Sequence, residues 1–259
     1  MSLFSGVRDT IIITKRNLLR YVRLPQLLFF SSIQPIMFLL LFDFVFGGAL
    51  GSSTQVPGGK YINFLLPGII VQMVMFGGVQ TGIGLAEDMS KGIIDRFRSL
   101  PMSRLAVVAG RTLSDAVRNL SVIIIMVSVG YLIGFRFQEG PLRALGMAAL
   151  GVLFGYTLSW IFAFVGMAVK DGETAQLASF VFIFPFTFAS AVFVPPQTMP
   201  GWLQVFVRNQ PVTFVATASR HLALGTPDGG STWKLLAWCA GILVVFVPLA
   251  IRQYQRRTA

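Results

Sequence analysis

The chain has little that supports catalysis. One cysteine and one histidine occur in 259 residues, and acidic residues number ten against 21 lysines and arginines. A lone Cys239 inside an apolar run excludes an intrachain disulfide framework and a cysteine metal site, and reads as packing. A lone His221 excludes a histidine cluster or a His pair on one helix, and fits a satisfied polar residue near the surface. No G-x-x-x-x-G-K-[ST] run is present to cradle nucleotide phosphates. Glu87, Asp88 and Asp95 lack the repeated carboxylate spacing that two metals need. The expectation is a chain that is not an enzyme and holds no cofactor or metal of its own.

Charge is scarce too. Charged residues make up 12%, about half the usual share for a soluble domain, while apolar residues reach 54%. Mean hydropathy is +0.73. The apolar residues fall in runs of roughly Gln26 to Leu50, Phe64 to Ala86, Leu105 to Ile133, Ala144 to Val169, Ala175 to Val194 and Trp233 to Ile251. As a helix, each run covers a hydrocarbon core of about 30 Å at about 1.5 Å per residue. The fold expected is therefore all-α and integral to a membrane, with six transmembrane helices in a single domain. Residues 1–24 precede the 26–251 bundle and 252–259 form a tail. No small-residue cleavage site follows the first run, so a removed signal peptide is not expected.

The net charge of +11 does not point to nucleic acid, because the basic residues flank apolar runs instead of forming a stripe among aromatics. Arg8, Lys15, Arg16, Arg20 and Arg23 precede run 1; Lys91, Arg96, Arg98 and Arg104 separate runs 2 and 3; Lys170 and the terminal Arg252, Arg256 and Arg257 complete that side. The other side has Lys60, Arg136, Arg143, Arg208, Arg220 and Lys234 over longer loops. The positive-inside rule then places both termini in the cytoplasm.

Between the runs, Phe4, Val7, Ile11, Leu18 and Val22 share one helical face and the basic residues another, the pattern of a helix lying among headgroups or of a plain positive-inside anchor. After run 2, Ile93, Ile94, Phe97 and Leu100 recur at helical spacing opposite Lys91, Asp95 and Arg98, and Pro101 ends the turn. This ridge is too short to span and needs headgroups or a cytoplasmic protein to sit against. Arg111, Asp115 and Arg118 share a face at the inner end of run 3, where Asp115 pairs with either arginine as a clamp or as part of a moving element. Asp43 reads as the acid well inside an apolar run, near its outer end, which favours interfacial solvation over a proton relay. Gly151 and Gly155 sit at a spacing that permits close helix contact. Pro195 to Thr232 holds two short apolar helices, near Trp202 to Arg208 and Val212 to Leu224, read as a re-entrant or interfacial outer pair with Trp202 and Trp233 at headgroup level.

Two segments carry a family resemblance. Lys91 through Arg104, KGIIDRFRSLPMSR, and Val194 through Gln204, VPPQTMPGWLQ, resemble the type-2 ATP-binding-cassette exporter permeases, in the branch of the actinobacterial daunorubicin-resistance permeases. Asn209-Gln210-Pro211 is similar to an Asn-Pro element of that family, with Gln210 inserted. The resemblance implies a bacterial plasma-membrane permease subunit that exports a lipophilic or amphipathic compound (drug, lipid or glycolipid). It implies a dimer of permeases with separate ATPase subunits that hold ATP and Mg. It also implies a coupling helix at Lys91, Ile93, Ile94, Arg96, Phe97, Arg98 and Leu100, with Glu87 and Asp88 at its junction and Lys170 and Asp171 as a second contact. Runs 1, 2 and 5 would line the substrate path, and the outer pair would cap its exit. On run 2, Gln72, Phe76 and Gln80 step by four; on run 5, Phe180, Phe184 and Phe188 do the same, with Pro185 available as a bend. Such side chains suit a large amphiphile, or they are core packing. The competing functions are a membrane scaffold or sensor that recruits a cytoplasmic protein, and an ion-coupled secondary transporter.

Overall fold

The computed structural model describes residues 3–23, 25–51, 60–92 and 104–257. Those residues form helices and turns, with no strand among them. In chain order the α-helices are α1 (Leu3–Arg23), α2 (Pro25–Gly51), α3 (Tyr61–Ser90), α4 (Arg104–Ile133), α5 (Pro141–Ala168), α6 (Gly172–Phe188), α7 (Gly201–Asn209), α8 (Pro211–Leu224) and α9 (Ser231–Arg257). Among the described residues, four stretches are long and apolar enough to cross a membrane: Tyr61–Ser90, Ala106–Ile133, Pro141–Ala168 and Ser231–Arg256. Helix α6, with 17 residues, falls below that length, and within the 27 residues of α2 the described apolar stretch is Ser32–Gly48.

The centre of the bundle is α3, which packs on α2, α4, α5, α6 and α8, while α9 lies against α5 and α8 and α1 against α4. Composition explains the centrality of α3, for its glycines let neighbours approach closely. A Cβ on Gly166 of α5 would overlap the Gly82 carbonyl, so the two backbones touch there. Gly155, one of the pair singled out by spacing, packs on Val74 and Asn119.

The fifth apolar run departs from expectation at its C-terminal end. The helix stops at Phe188, not Val194, and the chain enters a buried turn in which Ala191 and Val192 are sealed. The end of the helix at Phe188 leaves its last carbonyls without intrahelical partners, and they and the turn beyond find other donors. The Gln210 amide donates to the carbonyls of Phe186 and Ala189. The Tyr61 hydroxyl donates to the Phe193 carbonyl at 2.8 Å. Irregular backbone inside an apolar body survives only when its polar groups are satisfied in this way.

Helix α1 meets α4 through the buried Ile13 and Thr14, with the Thr14 hydroxyl 3.2 Å from the Gly110 carbonyl. Val7 and Ile11 of its predicted apolar face are exposed. Trp202 and Trp233 are exposed as well.

Candidate functional site

A cavity of about 330 Å³ opens between α2, α3, α4 and α6. Gln72, Phe76 and Gln80 face it from α3, because four-residue steps keep side chains on one face of a helix. Phe180 and Phe184 face it from α6. Phe76 meets Phe180 and Phe184 edge-on, with ring centroids 6.0 and 6.2 Å away. Phe188 is not in the wall; it stacks on Phe184 and on Phe193 of the buried turn, at 6.0 and 5.5 Å. Five of the six side chains expected along a substrate path thus share one cavity, and the sixth packs beside it.

Sequence reasoning missed the rest of the wall. Gln34 and Phe38 contribute from α2, Arg118 and Asn119 from α4, and Gln176 from α6. Gln176 extends the Phe180–Phe184 step by four, a signal that was available. Nothing in the spacing of α4 alone tells which neighbour Arg118 faces.

Arg118 ends a row of ions that runs inward from the partly exposed Asp88 and Arg111. The Asp88 carboxylate of α3 lies 3.4 Å from Arg111 Nη1 of α4, and Arg111 Nε lies 3.6 Å from Asp115 Oδ2. Asp115 Oδ1 in turn lies 3.8 Å from Arg118 Nη1. Asp115 is fully buried and accepts a 2.6 Å hydrogen bond from the Thr81 hydroxyl of α3. Arg118 Nη2 donates to the Gly77 carbonyl at 2.7 Å. A Cβ on Gly77 would overlap the Asn119 amide, so glycine there is what lets Asn119 sit against α3. The described members of the row, two acids and two arginines, sum to zero charge, the condition under which buried ions are tolerable. The sequence placed Asp115 between the arginines but did not foresee its complete burial or the reach to Asp88.

At the end of α3 near Asp88, Lys91 Nζ pairs with Glu87 Oε2 at 3.1 Å on the surface. Gly92, at φ 65°, turns the chain out of α3. Asp171 caps α6 by accepting the Thr174 N–H at 2.8 Å, and Gly172 packs beside the Glu87 side chain. The backbone N–H of Thr174 holds the exposed Asp171 carboxyl below its ordinary value. Glu87, Lys91 and Asp171 therefore share one end of the bundle, with Lys170 next to Asp171 in the chain. Ile93, Ile94, Arg96, Phe97, Arg98 and Leu100 lie outside the described residues.

At the opposite end Arg220 corrects the sequence reading, which counted it among loop charges. It is buried on α8, donating from Nε to the Phe64 carbonyl at 2.8 Å and from Nη2 to the Val192 carbonyl at 2.9 Å. Its guanidinium carbon lies 3.5 Å from the centre of the Phe64 ring. Arg220 and Gln210 hold the buried turn against α3 and α8, roles that only the tertiary fold reveals.

A helical bundle with several membrane-length apolar helices, an ion row between two of them and an aromatic cavity is a multi-pass membrane protein. The ABC-2 type transporter family matches residues 8–224, and the chain belongs to that family. It is 38% identical over 244 residues to "Daunorubicin resistance ABC transporter permease protein DrrB1" of Streptomyces coeruleorubidus, covering 94% of this chain and 85% of that one. It is 29% identical over 246 residues to "Probable doxorubicin resistance ABC transporter permease protein DrrC" of Mycobacterium tuberculosis, covering 95% and 88%. A more distant relative is "Putative transport permease ycf38" of Cyanophora paradoxa, 22% identical over 222 residues, with 85% and 75% covered.

Proposed function

We propose that this chain is the membrane subunit of an ATP-driven exporter of a lipophilic or amphipathic compound, coupled to a separate ATPase subunit that holds ATP and Mg. The observation that carries the reading is the aromatic and amide wall shared by α3 and α6 in a member of the ABC-2 family. Phenylalanine rings bind apolar rings or chains, and amides fix orientation without demanding a charge. In this reading α2 and α6 cross the bilayer along with the four longer helices, giving six spans. The α7–α8 pair is re-entrant on the outer face. The termini lie in the cytoplasm of a bacterium, and α1 rests its exposed Val7 and Ile11 among headgroups.

The apolar ridge from Ile93 to Leu100 docks on the ATPase, with Glu87, Asp88 and Lys91 at its root and Lys170 and Asp171 as a lesser contact. The Asp88–Arg111 pair joins that root to the ion row that ends at the cavity, which favours coupling through α3 and α4. A second permease, identical or different, completes the path. The anthracycline names of the relatives support drug export as one instance.

Copurification with a separate ATP-binding-cassette ATPase subunit tests the reading. The complex should hydrolyse ATP in a cargo-stimulated manner. Ile94→Asp or Phe97→Asp should uncouple it by placing an unpaired ion in the contact, a cost of about 3–5 kcal/mol. Phe184→Ala should change cargo stimulation while leaving the ATPase bound. Transport by the permease without any ATPase refutes the proposal.

A further inference from the structure

We infer that Phe42, Phe188 and Phe193 seal one end of the cavity, and that the contact between Phe42 and Phe193 is the one that parts when cargo leaves. The inference rests on the transport reading and assigns residues to its exit. The cavity wall holds Phe38 of α2, Gln72 of α3 and Phe184 of α6. One helical turn beyond each of them, toward the C-terminal end of α6, stands a closing group. Beyond Phe38 is Phe42 and beyond Phe184 is Phe188. Beyond Gln72 is Gly68, where the Val192 carbonyl of the buried turn lies so close that a Cβ would overlap it. Phe193 joins the two sides, for its ring stacks on Phe188 at 5.5 Å and on Phe42 at 5.0 Å. With Phe184 on Phe188 at 6.0 Å and Phe38 against Phe42 at 6.1 Å, rings run without a break from one wall of the cavity to the other.

The two sides of this seal are built differently. Phe193 sits on the buried turn, which hydrogen bonds fix to α3 and to the α8 segment. The Tyr61 hydroxyl donates to the Phe193 carbonyl, Arg220 to the Val192 carbonyl and Gln210 to the Ala189 carbonyl, while the Ala191 N–H donates to the Thr213 hydroxyl. Shifting the turn strands these buried polar groups, a larger penalty than the loss of one ring contact. Phe42 meets Phe193 by stacking alone, a contact that opens without leaving a donor or acceptor unpaired. Among the described residues, α2 and α6 each pack on α3 but share no extensive contact with each other. Helix α2 is therefore the leaf that swings, while α3 and the turn keep their places. Apolar constrictions of this kind close a path by excluding water.

The test places a reporter at the cavity wall, Gln72→Cys, in the permease–ATPase complex in right-side-out membrane vesicles. A membrane-impermeant maleimide is added at the face opposite the ATPase, and peptide mass spectrometry reads the label on α3; the native Cys239 is buried and lies on a different peptide. Phe42→Ala and Phe193→Ala should each speed labelling by roughly tenfold, the order expected when a stacked pair is lost from the closed state. Phe42→Tyr keeps the ring and should label as slowly as the parent. Phe44→Ala, at an exposed position of the same helix, should do the same. In a second arm, with Gln72 intact, a short cleavable thiol linker bridges Phe42→Cys to Phe193→Cys. The bridge should arrest ATP hydrolysis by the complex, and cleaving the linker should restore it. The same linker between Ala191→Cys and Thr213→Cys, across a contact that stays shut, should leave hydrolysis unchanged. Unchanged labelling in both alanine variants, or full hydrolysis with Phe42 and Phe193 bridged, overturns the inference. Alanine variants that open the cavity in a preparation with which no ATPase associates refute the transport reading and leave the seal standing.

Discussion

Helices α3 and α9 are close in length and both strongly apolar, yet they live in different surroundings. The most apolar window of α3 has hydropathy 1.8 and is 94% buried within the protein; that of α9 has hydropathy 2.3 and is 17% buried. In water the more apolar helix goes to the core, but in a bilayer lipid is as good a solvent for leucine as another helix. What selects the centre is the means to pack closely and to bond across helices. Gly77, Gly82 and Thr81 give α3 those means, whereas α9 presents Trp238, Val244 and Val245 outward.

The largest break in this contrast is expected at the ion row. Asp115→Ala leaves the buried Arg118 and the part-buried Arg111 with their shared partner gone, at a cost of about 3–5 kcal/mol. Denaturant unfolding of the purified protein in detergent should show it, and Arg118→Met in the same chain should recover part of the loss. No loss for Asp115→Ala would mean that the row contributes nothing to holding α3 on α4. Next comes a matched pair of leucines. Gly166→Leu drives a side chain into the Gly82 backbone and should cost about 3 kcal/mol, since neither backbone can yield as a side-chain tip would. Gly241→Leu on α9 meets nothing within 4 Å and should stay within about 0.5 kcal/mol of the parent, in the same unfolding assay. Equal effects at the two sites would erase the distinction between centre and edge.

Sequence alone made the helical runs legible, because uninterrupted hydropathy reports the solvent of a segment. It also made five cavity side chains legible, because a step of four is a property of one helix. It could not show which runs lie inside. Hydropathy ranks α9 above α3, the reverse of their burial. Long-range satisfaction of polar groups was equally hidden: Arg220 reads as a loop charge until Phe64 and Val192, far off in the chain, present their carbonyls to it. Gln210 looked like an insertion in an Asn-Pro element, and its purpose becomes visible only where the broken end of α6 needs a donor. Phe188 kept the right spacing but fell outside the wall, since the helix ends there and the stack turns toward Phe193.

The smallest expected effect separates the sealed carboxylate from an exposed one. Asp171 caps α6 from the surface, accepting the Thr174 N–H, and that bond keeps its carboxyl below the ordinary value of 3.8. A carboxyl depressed in the folded state contributes its stability above the unfolded value and loses it as pH falls through the lower folded value. The cap is therefore intact at neutral pH and fails only below about pH 4, the range in which ordinary carboxylates take up protons. Hydrogen exchange read at the Thr174 amide, corrected for its intrinsic pH dependence, should lose protection in that acid range in the parent. In Asp171→Ala protection should already be low at neutral pH, with the midpoint of global unfolding almost unmoved. A large global shift from this substitution would place the first turn of α6 with the bundle's interior seam, not with its solvated rim.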